Sequence, residues 1–343
     1  MRRSPKEADF GIAAFGLQLG DRVSALESID GDELSRYRLE RSGFKRFCEI
    51  SADIGTETIA ATAATRCLER AGVDPGEVDY LIVVCTSVPE YLIWDLSAAV
   101  AAEAGCHRAS TLLLGQGCGS AVLGLEQAAG IFATRPEVDK ILYVGVDRLS
   151  ARHQRRSGTA TTDSDGAVAM LLTRSSPRLT LVSTAQTTLG RHHALFRLPY
   201  CGRIASCLPD DTANSKVDVD EATMEYFGDD AEKLIDWAAD CDRAVIEALE
   251  RCCAVAEIKA GSLDHLLMLH DRRESMLQVS AALDVPADRT NIGMAAMLGH
   301  FGGSDPLICL AILDATEKLT EGQRIGMLGL SSGMQCFAAV MAV

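Results

Sequence analysis

Cys118 is the residue whose surroundings are most typical of catalysis. It lies in the segment Gln116-Gly117-Cys118-Gly119-Ser120, between an apolar run at 112–114 and a helical pattern. Small residues on both sides permit a sharp turn from strand to helix, which places the thiol at a helix N-terminus. There the helix dipole and the free backbone N–H groups stabilise a thiolate and can also hold an oxyanion. The pattern therefore predicts a cysteine nucleophile, and the other cysteines are predicted to be buried structural residues.

A second glycine-rich turn, Gly299-His300-Phe301-Gly302-Gly303, carries a histidine that packing alone does not explain. Apolar runs typical of strands begin at Asp79 and Asp264, and Cys118 and His300 follow those residues by 39 and 36 positions. Short strands are predicted directly before each turn, at 112–114 and 297–298, with further strands at 141–147 and 324–330. This order is an internal repeat, and continuously apolar strands indicate sheets covered by helices on both faces. We therefore predict an α/β fold of two similar halves, with Cys118 and His300 at matching turns.

The composition narrows the class of protein. The chain has 343 residues, of which 48% are hydrophobic, and a net charge of −15. This length suggests two domains, and an acidic protein is a poor ligand for nucleic acid. No apolar run is long enough for a membrane helix, and the charged N-terminus does not predict a signal peptide. Twelve cysteines without a CxxC pair predict a reduced, cytoplasmic protein, and the seven histidines form no metal-binding pattern, so we expect no metal.

The boundary between the halves is predicted at a polar turn, which gives an N-terminal half of 1–175 and a C-terminal half of 176–343. The first half carries Cys118, and the second carries His270, His300 and Asp305. Residues 189–227 lack clear periodicity and are predicted to form a functional loop region. Residues 229–255 have the spacing of an amphipathic helix.

Together these motifs resemble the ketosynthase III group of thiolase-fold enzymes, over essentially the whole chain. Cys118 falls where that family has its acyl-accepting cysteine, and His270 falls where it has the histidine of a Pro-His-Gln-Ala motif. The segment 72–83 resembles the end of the family's first-lobe helix and the strand that follows, and Ser164-Asp165-Gly166-Ala167 resembles its Gly-Asp-Gly-Ala turn near the dimer core. The resemblance implies a thiolase fold, packed as a five-layer αβαβα sandwich, and a homodimer.

The turn around His300 departs from the family pattern. Condensing members carry Gly-Asn-Thr-Ser there, and their asparagine, with the family histidine, stabilises the enolate formed when a malonyl thioester loses carbon dioxide. In this chain His300 is followed five residues later by Asp305, so the set matches a nucleophile, a base and a carboxylate that orients the base. The segment 299–306 resembles ketosynthase III-like acyltransferases of polyketide and antibiotic pathways. The resemblance implies transfer of a ready-made acyl group without condensation.

The resemblance also implies the partners. The donor is expected to be a thioester of coenzyme A or of acyl carrier protein, the acceptor an oxygen, a nitrogen or a thiol on a small molecule or a carrier protein, and no cofactor is expected. Because carrier proteins are acidic, we expect docking at a basic patch. The predicted docking residues are Arg152, Arg155, Arg156, Arg272 and Arg273, and Arg148, Lys45 and Arg46 are further basic residues with the same expected role. The oxyanion hole is predicted to combine the Cys118 backbone N–H with one from Ser332 or Gly333.

Two other functions stay open from the sequence. One is a decarboxylating ketosynthase for starter-unit condensation that uses Cys118, His270 and His300. The other is an inactive dimer partner, against which the intact Gly117-Cys118-Gly119 argues. Asp305 could instead cap the helix near Pro306, and His270 could be a core histidine. His192 and His193 are weaker predictions for a substrate channel, and the acyl group and acceptor are not encoded in any motif.

Overall fold

The computed structural model describes residues 10–28, 33–88, 90–91, 93–149, 156–157, 161–174, 176, 178–197, 219–228 and 230–343. Within these residues the strands are β1 (Gly11–Leu19), β2 (Asp21–Ser24), β3 (Arg46–Glu49), β4 (Tyr80–Cys85), β5 (Ser110–Leu114), β6 (Lys140–Asp147), β7 (Arg156–Ser157), β8 (Thr161–Thr162), β9 (Gly166–Thr173), β10 (Thr180–Thr188), β11 (His265–Met268), β12 (Arg324–Leu330) and β13 (Gln335–Ala342). The α-helices are α1 (Glu33–Ser42), α2 (Thr56–Ala71), α3 (Leu96–Glu103), α4 (Ser120–Thr134), α5 (Val219–Phe227), α6 (Ala231–Val255), α7 (Arg273–Ala282), α8 (Ile292–Leu298) and α9 (Asp305–Ala315).

Two sheets form the frame of the molecule. The first has the strand order β1-β9-β6-β4-β5, in which β4 runs parallel to both β5 and β6. The second has the order β10-β13-β12-β11, in which β11 runs parallel to β12 and β13 is antiparallel to its neighbours. The pairs β2–β3 and β7–β8 form small separate ladders.

Alternate residues of the buried strands face different helices, because successive side chains of a strand point to opposite faces. In β6, Ile141 and Tyr143 belong to the core that contains α4 and α9, whereas Leu142 and Val144 pack with α2 and α3. A third core joins the outer face of the second sheet to α6, α7 and α8. The strands are apolar on both faces because both faces are covered.

The layers follow from these three cores. Helices α2 and α3 cover the first sheet, α4 and α9 lie between the two sheets, and α6 and α7 cover the second sheet. The predicted α/β class and the five-layer αβαβα packing of two similar halves are confirmed.

One predicted strand is wrong. Residues 297–298, expected to form a strand before the second glycine turn, are the last turn of helix α8. On the edge of β11 that does not pair with β12, the structure shows one isolated bridge, between Leu266 and Thr290. A helix therefore separates this bridge from His300, whereas β5 runs directly into the turn that carries Cys118.

Other boundaries shift by a few residues. The strand predicted to begin at Asp264 is β11, which begins at His265, and His270 lies just beyond its end. The helix predicted from residue 229 begins at Ala231, where the side chain of Asp230 accepts a hydrogen bond from the Lys233 N–H at 3.1 Å. Within the loop region 189–227, the described parts include a 3₁₀ turn at Gly190–His192 and helix α5, and residues 198–218 lie outside the described residues. The boundary between 175 and 176 stays a prediction.

Candidate active site

The first glycine-rich elbow exposes Cys118 at the start of α4. Gly117 has a φ of +59°, in the left-handed region that favours glycine, and Gly117–Gly119 form a 3₁₀ turn. The Ser120 hydroxyl accepts a hydrogen bond from the Gln116 N–H and donates one to the Gly117 carbonyl, both at 2.7 Å. A side chain at Gly117 would meet the Ser331 hydroxyl, because an added Cβ would lie 2.5 Å from it. The turn therefore fixes a half-buried thiol at the N-terminal end of a helix.

The second elbow, at Gly302–Ser304, repeats this geometry and corrects the predicted equivalence. Phe301 has φ and ψ of −105° and 44°, close to the −102° and 44° of Gln116, and Gly302 has a φ of +54°. Asp305 Oδ1 accepts from the Phe301 N–H at 2.6 Å, as the Ser120 hydroxyl accepts from Gln116. The position that matches Cys118 is therefore Gly303, and His300 precedes its elbow.

The two elbows are in direct contact. A Cβ added to Gly303 would lie 2.8 Å from the Cys118 carbonyl oxygen, a distance that real side chains do not tolerate. Glycine at this position lets the elbow of the second half approach the elbow of the first. The glycine-rich turns of the two halves therefore meet at this contact.

His300 contacts Cys118 with one ring nitrogen and Asp305 with the other. The Cys118 Sγ is 3.8 Å from His300 Nε2, and His300 Nδ1 is 2.6 Å from Asp305 Oδ2. Because a carboxylate oxygen accepts, Nδ1 carries a proton, which leaves Nε2 to exchange a proton with the thiol. The His300 main chain is held by hydrogen bonds to the Thr162 carbonyl and from the Ser164 N–H, both at 2.8 Å.

Asp305 is fully buried yet charged in this arrangement. Burial opposes its ionisation, but the imidazoles of His270 and His300 and its hydrogen bonds outweigh that effect, so the pKa of Asp305 lies below its ordinary value. Burial also opposes the charged form of His300, but Asp305 and Cys118 overcome it and raise the pKa of His300 well above its ordinary value. The pair is therefore built to carry an imidazolium beside a carboxylate.

His270 contacts the same carboxylate but faces a different thiol. The main-chain N–H of His270 donates to Asp305 Oδ2 at 2.7 Å. In its ring, Nδ1 lies 2.5 Å from the Gly299 carbonyl oxygen and Nε2 lies 3.2 Å from Cys309 Sγ. A carbonyl only accepts, so Nδ1 carries the proton and Nε2 is left to accept from the Cys309 thiol. Burial lowers the pKa of His270, in keeping with a neutral ring, and raises that of Cys309. The second cysteine-histidine pair is thus buried and neutral.

The turn predicted to complete the oxyanion hole packs on the first elbow. Ser332 and Gly333 are exposed residues between β12 and β13, in a turn closed by a 2.8 Å hydrogen bond from the Met334 N–H to the Ser331 carbonyl. A Cβ at Gly117 would also lie 3.3 Å from the Ser332 hydroxyl. The use of the N–H groups of Cys118, Ser332 and Gly333 stays a prediction.

The predicted docking residues fall into two groups. Arg152 and Arg155 lie outside the described residues, and of Arg156 only the main chain, paired with Thr162, is described. Arg272 and Arg273 are exposed at the beginning of α7, directly after His270 and Asp271.

The three further basic residues predicted for docking all lie in the first half. Arg148 donates to the Ser51 carbonyl at 3.1 Å, and Lys45 and Arg46 are exposed.

His192 packs against Tyr226 and Phe227 of α5, and His193 is exposed. No contact of the described residues connects either histidine with Cys118.

Two expected absences can be examined in the described residues. They contain no group of three or more histidine, cysteine or acidic side chains placed to hold a metal ion. The helices found there are too short or too polar to cross a bilayer. The ten cysteines that the structure describes are free thiols, and nine of them are buried, which agrees with their predicted structural role.

Several residues of the site were missed by sequence reasoning. Asn291 bridges Met268 and Cys309, and Thr86 and Asp147 contact the second elbow. Asp147 could have been found from the sequence, because it is a charged residue at the end of an apolar strand. The others are ordinary polar residues that only the tertiary structure brings to the site.

Comparisons with known proteins agree with this architecture. One family model, described as thiolase, N-terminal domain, matches residues 38–166, and another, described as 3-oxoacyl-[acyl-carrier-protein (ACP)] synthase III C terminal, matches residues 253–343. Beta-ketoacyl-[acyl-carrier-protein] synthase III of Syntrophomonas wolfei is 24% identical over 333 residues, 94% of each chain. The enzyme of the same name from Synechocystis is 24% identical over 305 residues, 88% of this chain and 87% of its own.

Solved structures give the same fold. An acyltransferase named ChlB3 has a TM-score of 0.84 at 22% identity, covering 98% of both chains. The priming beta-ketosynthase from the R1128 polyketide biosynthetic pathway has a TM-score of 0.78 at 19% identity, covering 100% of this chain and 98% of its own. The predicted thiolase fold is confirmed.

Proposed function

Because this chain belongs to the ketosynthase III family of thiolase-fold enzymes, we propose that it is an acyltransferase that forms a Cys118 thioester and passes the acyl group to an acceptor without condensation. The observation that carries the proposal is the pair of contacts that joins Cys118, His300 and Asp305, in which a buried carboxylate holds the histidine that faces the thiol.

The first half-reaction acylates the enzyme. His300 Nε2 takes the proton of the Cys118 thiol, and the sulfur attacks the carbonyl carbon of the donor thioester. The tetrahedral intermediate collapses, the bond between the acyl carbon and the donor sulfur breaks, and the leaving thiolate takes the proton from His300. Asp305 stabilises the imidazolium that exists between these two proton transfers.

The second half-reaction uses the same histidine in the reverse sense. His300 Nε2 removes the proton of the acceptor oxygen, nitrogen or sulfur, which attacks the carbonyl carbon of the Cys118 thioester. The bond to the Cys118 sulfur breaks, and that sulfur recovers a proton from His300. No carbon–carbon bond is formed, and no cofactor is needed.

The surroundings of His270 favour transfer over decarboxylation. A histidine that stabilises an enolate must offer an N–H to the enolate oxygen. The Nδ1 proton of His270 is directed to the Gly299 carbonyl, and its Nε2 accepts from Cys309. In this tautomer His270 has no N–H left for a substrate. It acts instead through its main-chain hydrogen bond to Asp305.

The alternative function is a decarboxylating beta-ketoacyl synthase, because that is the name of the sequence relatives. It would need His270 to adopt the other tautomer and to release Cys309. The priming synthase among the similar structures and the acyltransferase ChlB3 represent the two chemistries on one fold.

We further propose a coenzyme A or acyl carrier protein thioester as donor, and a reduced, cytoplasmic setting within polyketide or antibiotic biosynthesis. Arg272 and Arg273 are exposed at one helix start and are the described residues that we assign to docking of an acidic carrier. The acceptor is a small molecule or a carrier protein. The protein is proposed to act as a homodimer.

The test combines intact-mass spectrometry with a carbon dioxide assay. A panel of acyl thioesters should add the acyl mass to the unmodified protein, and Cys118→Ala should abolish the addition. Candidate acceptors should then remove the acyl group. Release of carbon dioxide from a malonyl thioester, with a β-ketoacyl product, would replace the proposal with the alternative.

A further inference from the structure

The ends of two parallel strands meet behind the second elbow. Asp147 is the last residue of β6, and Thr86 follows the last residue of β4. Asp147 Oδ1 accepts hydrogen bonds from the N–H groups of Thr86, at 3.0 Å, and Ser87, at 2.7 Å. The carboxylate therefore fixes the main chain where it leaves β4.

Both residues also contact the elbow of the second half. The Thr86 hydroxyl accepts a hydrogen bond from the Gly303 N–H at 3.0 Å. A Cβ added to Gly302 would lie 2.2 Å from Asp147 Oδ2 and 2.7 Å from the Thr86 hydroxyl. The elbow therefore fits against these two side chains only because Gly302 has no side chain and can adopt a φ of +54°.

The second oxygen of Asp147 is unusual. Oδ2 is buried and has no hydrogen-bond partner within the described part of the chain. A buried carboxylate oxygen without a hydrogen-bond donor is unfavourable. It persists only where the surrounding structure holds it in place. Here that position faces Gly302, two residues beyond His300.

We propose that Thr86 and Asp147 are positioning residues of the acyl-transfer reaction. They hold the second elbow, with His300 and Asp305, against Cys118, and the Asp147 carboxylate favours the charged form of His300. This inference rests on the proposed function. The first half thus supplies, besides the nucleophile, the support that sets the distance between nucleophile and base.

The electrostatic part depends on the charge of the buried Asp147 carboxyl group. Burial raises the pKa of Asp147 to about 7, and the charge of His300 opposes that shift. By reciprocity, the Asp147 anion favours the imidazolium of His300. The titratable and charged groups around the two are Cys118, Asp305, His270, Asp271 and Asp163 near His300, and Cys85, Arg148 and Asp165 near Asp147.

The positioning part is tested with Thr86→Val, which keeps the shape of the side chain and removes the acceptor of the Gly303 N–H. Acylation of Cys118 by a thioester that acylates the unmodified protein should slow about 10- to 100-fold, with little change in KM for the donor. Thr86→Ser keeps the hydroxyl and should recover most of the rate. Equal rates in Thr86→Val and the unmodified protein would overturn the positioning role.

The electrostatic part is tested without any substrate. NMR titration of ¹³C-labelled histidines, with His300 assigned through His300→Gln, measures the pKa of His300. Asp147→Asn should lower it by about half a unit or more. Asp79→Asn is the matched control, because Asp79 also accepts from two N–H groups, those of Asp139 and Lys140, but at the opposite end of β4.

The outcomes are separable. Failure of every thioester to acylate the unmodified protein rejects the proposed function, and the pKa measurement still tests the action of Asp147. A His300 pKa that Asp147→Asn leaves unchanged, or that both variants shift equally, rejects that action. If Asp147→Asn does not fold, the rates of the two Thr86 variants decide the inference.

Discussion

Ser120 and Asp305 occupy the same position in two copies of one elbow. Each is the first residue of a helix, and each accepts a hydrogen bond from the main-chain N–H four residues earlier. The hydroxyl of Ser120 turns back to the Gly117 carbonyl, whereas the second oxygen of Asp305 reaches His300. The alternative role considered for Asp305, a cap of the helix near Pro306, is not what the structure shows: its carboxylate accepts from the main-chain N–H groups of Phe301 and His270, which lie outside α9, and no side-chain hydrogen bond caps this helix.

Asp305→Asn should lower the rate of acyl transfer by about 10²- to 10⁴-fold, because His300 loses the anion that orients it and stabilises its charged form. The same loss lowers the pKa of His300, so the acid limb of the transfer rate should move to lower pH. Combined with His300→Ala, the variant should cost little more than His300→Ala alone, since the two act as a unit. Steady-state rates between pH 5 and 9 check this, and a nearly unchanged rate would limit Asp305 to holding the main chain of Phe301 and His270.

Gly303→Ala should impair Cys118 acylation, because the added Cβ would lie 2.8 Å from the Cys118 carbonyl oxygen and push the elbows apart. Gly293→Ala in α8 is the control, since a Cβ there meets nothing within 4 Å. It should leave acylation unchanged and stabilise the fold by up to about 1 kcal/mol, as alanine favours helix. Acylation rates and thermal unfolding of both variants distinguish a local steric effect from general damage.

Stability should depend on pH through Asp147. In the folded protein Asp147 has a pKa of about 7, so it stays protonated until the pH approaches that value. In the unfolded chain it loses the proton near its ordinary pKa of 3.8. Raising the pH from about 4 to 7 therefore lowers the free energy of unfolding through this group. Asp147→Asn removes this loss, so its stability relative to the unmodified protein should improve across that range, by up to about 4 kcal/mol. Urea unfolding at several pH values measures the difference, and a constant difference would contradict the raised pKa.

The protein should be a homodimer in solution. The turn at 164–167, expected from the family resemblance to lie near the dimer core, is held firmly here: Ser164 donates to the Leu298 carbonyl at 2.5 Å, and Asp165 accepts from the Ile50 N–H at 3.0 Å. A closed twofold dimer is the commonest symmetric assembly. Light scattering at micromolar concentration should give twice the mass of 36.6 kDa, and a single-chain mass would contradict the expectation.

The sequence predicted the buried strands and the turn that carries Cys118 well, because both depend on local patterns. The buried strands are short apolar runs, and Cys118 lies between glycines whose small size is visible in the sequence. The spacing between strand starts and turns also predicted two equivalent turns, although Gly303 and not His300 takes the position that matches Cys118. These features are set by residues that are neighbours in the chain.

The parts that failed depend on tertiary contacts. Helix α8 replaced the short strand expected before His300, and no local pattern showed that the strand's place beside β11 would be taken by one bridge at Thr290. The direction of the His270 ring is set by Cys309, which lies 39 residues away in the sequence. A residue's type and position did not reveal which of two thiols its imidazole would face.

The layer of α4 and α9 has a consequence for how the chain unfolds. Each half contributes one of these helices, and both are packed into a core that contains side chains from the two sheets. A half separated from the other would expose this face to water, so the repeat in architecture is not a repeat of independent folding units. We expect calorimetry to record one cooperative transition, and the halves, if expressed as separate fragments, to recover acylation of Cys118 only when they reassemble.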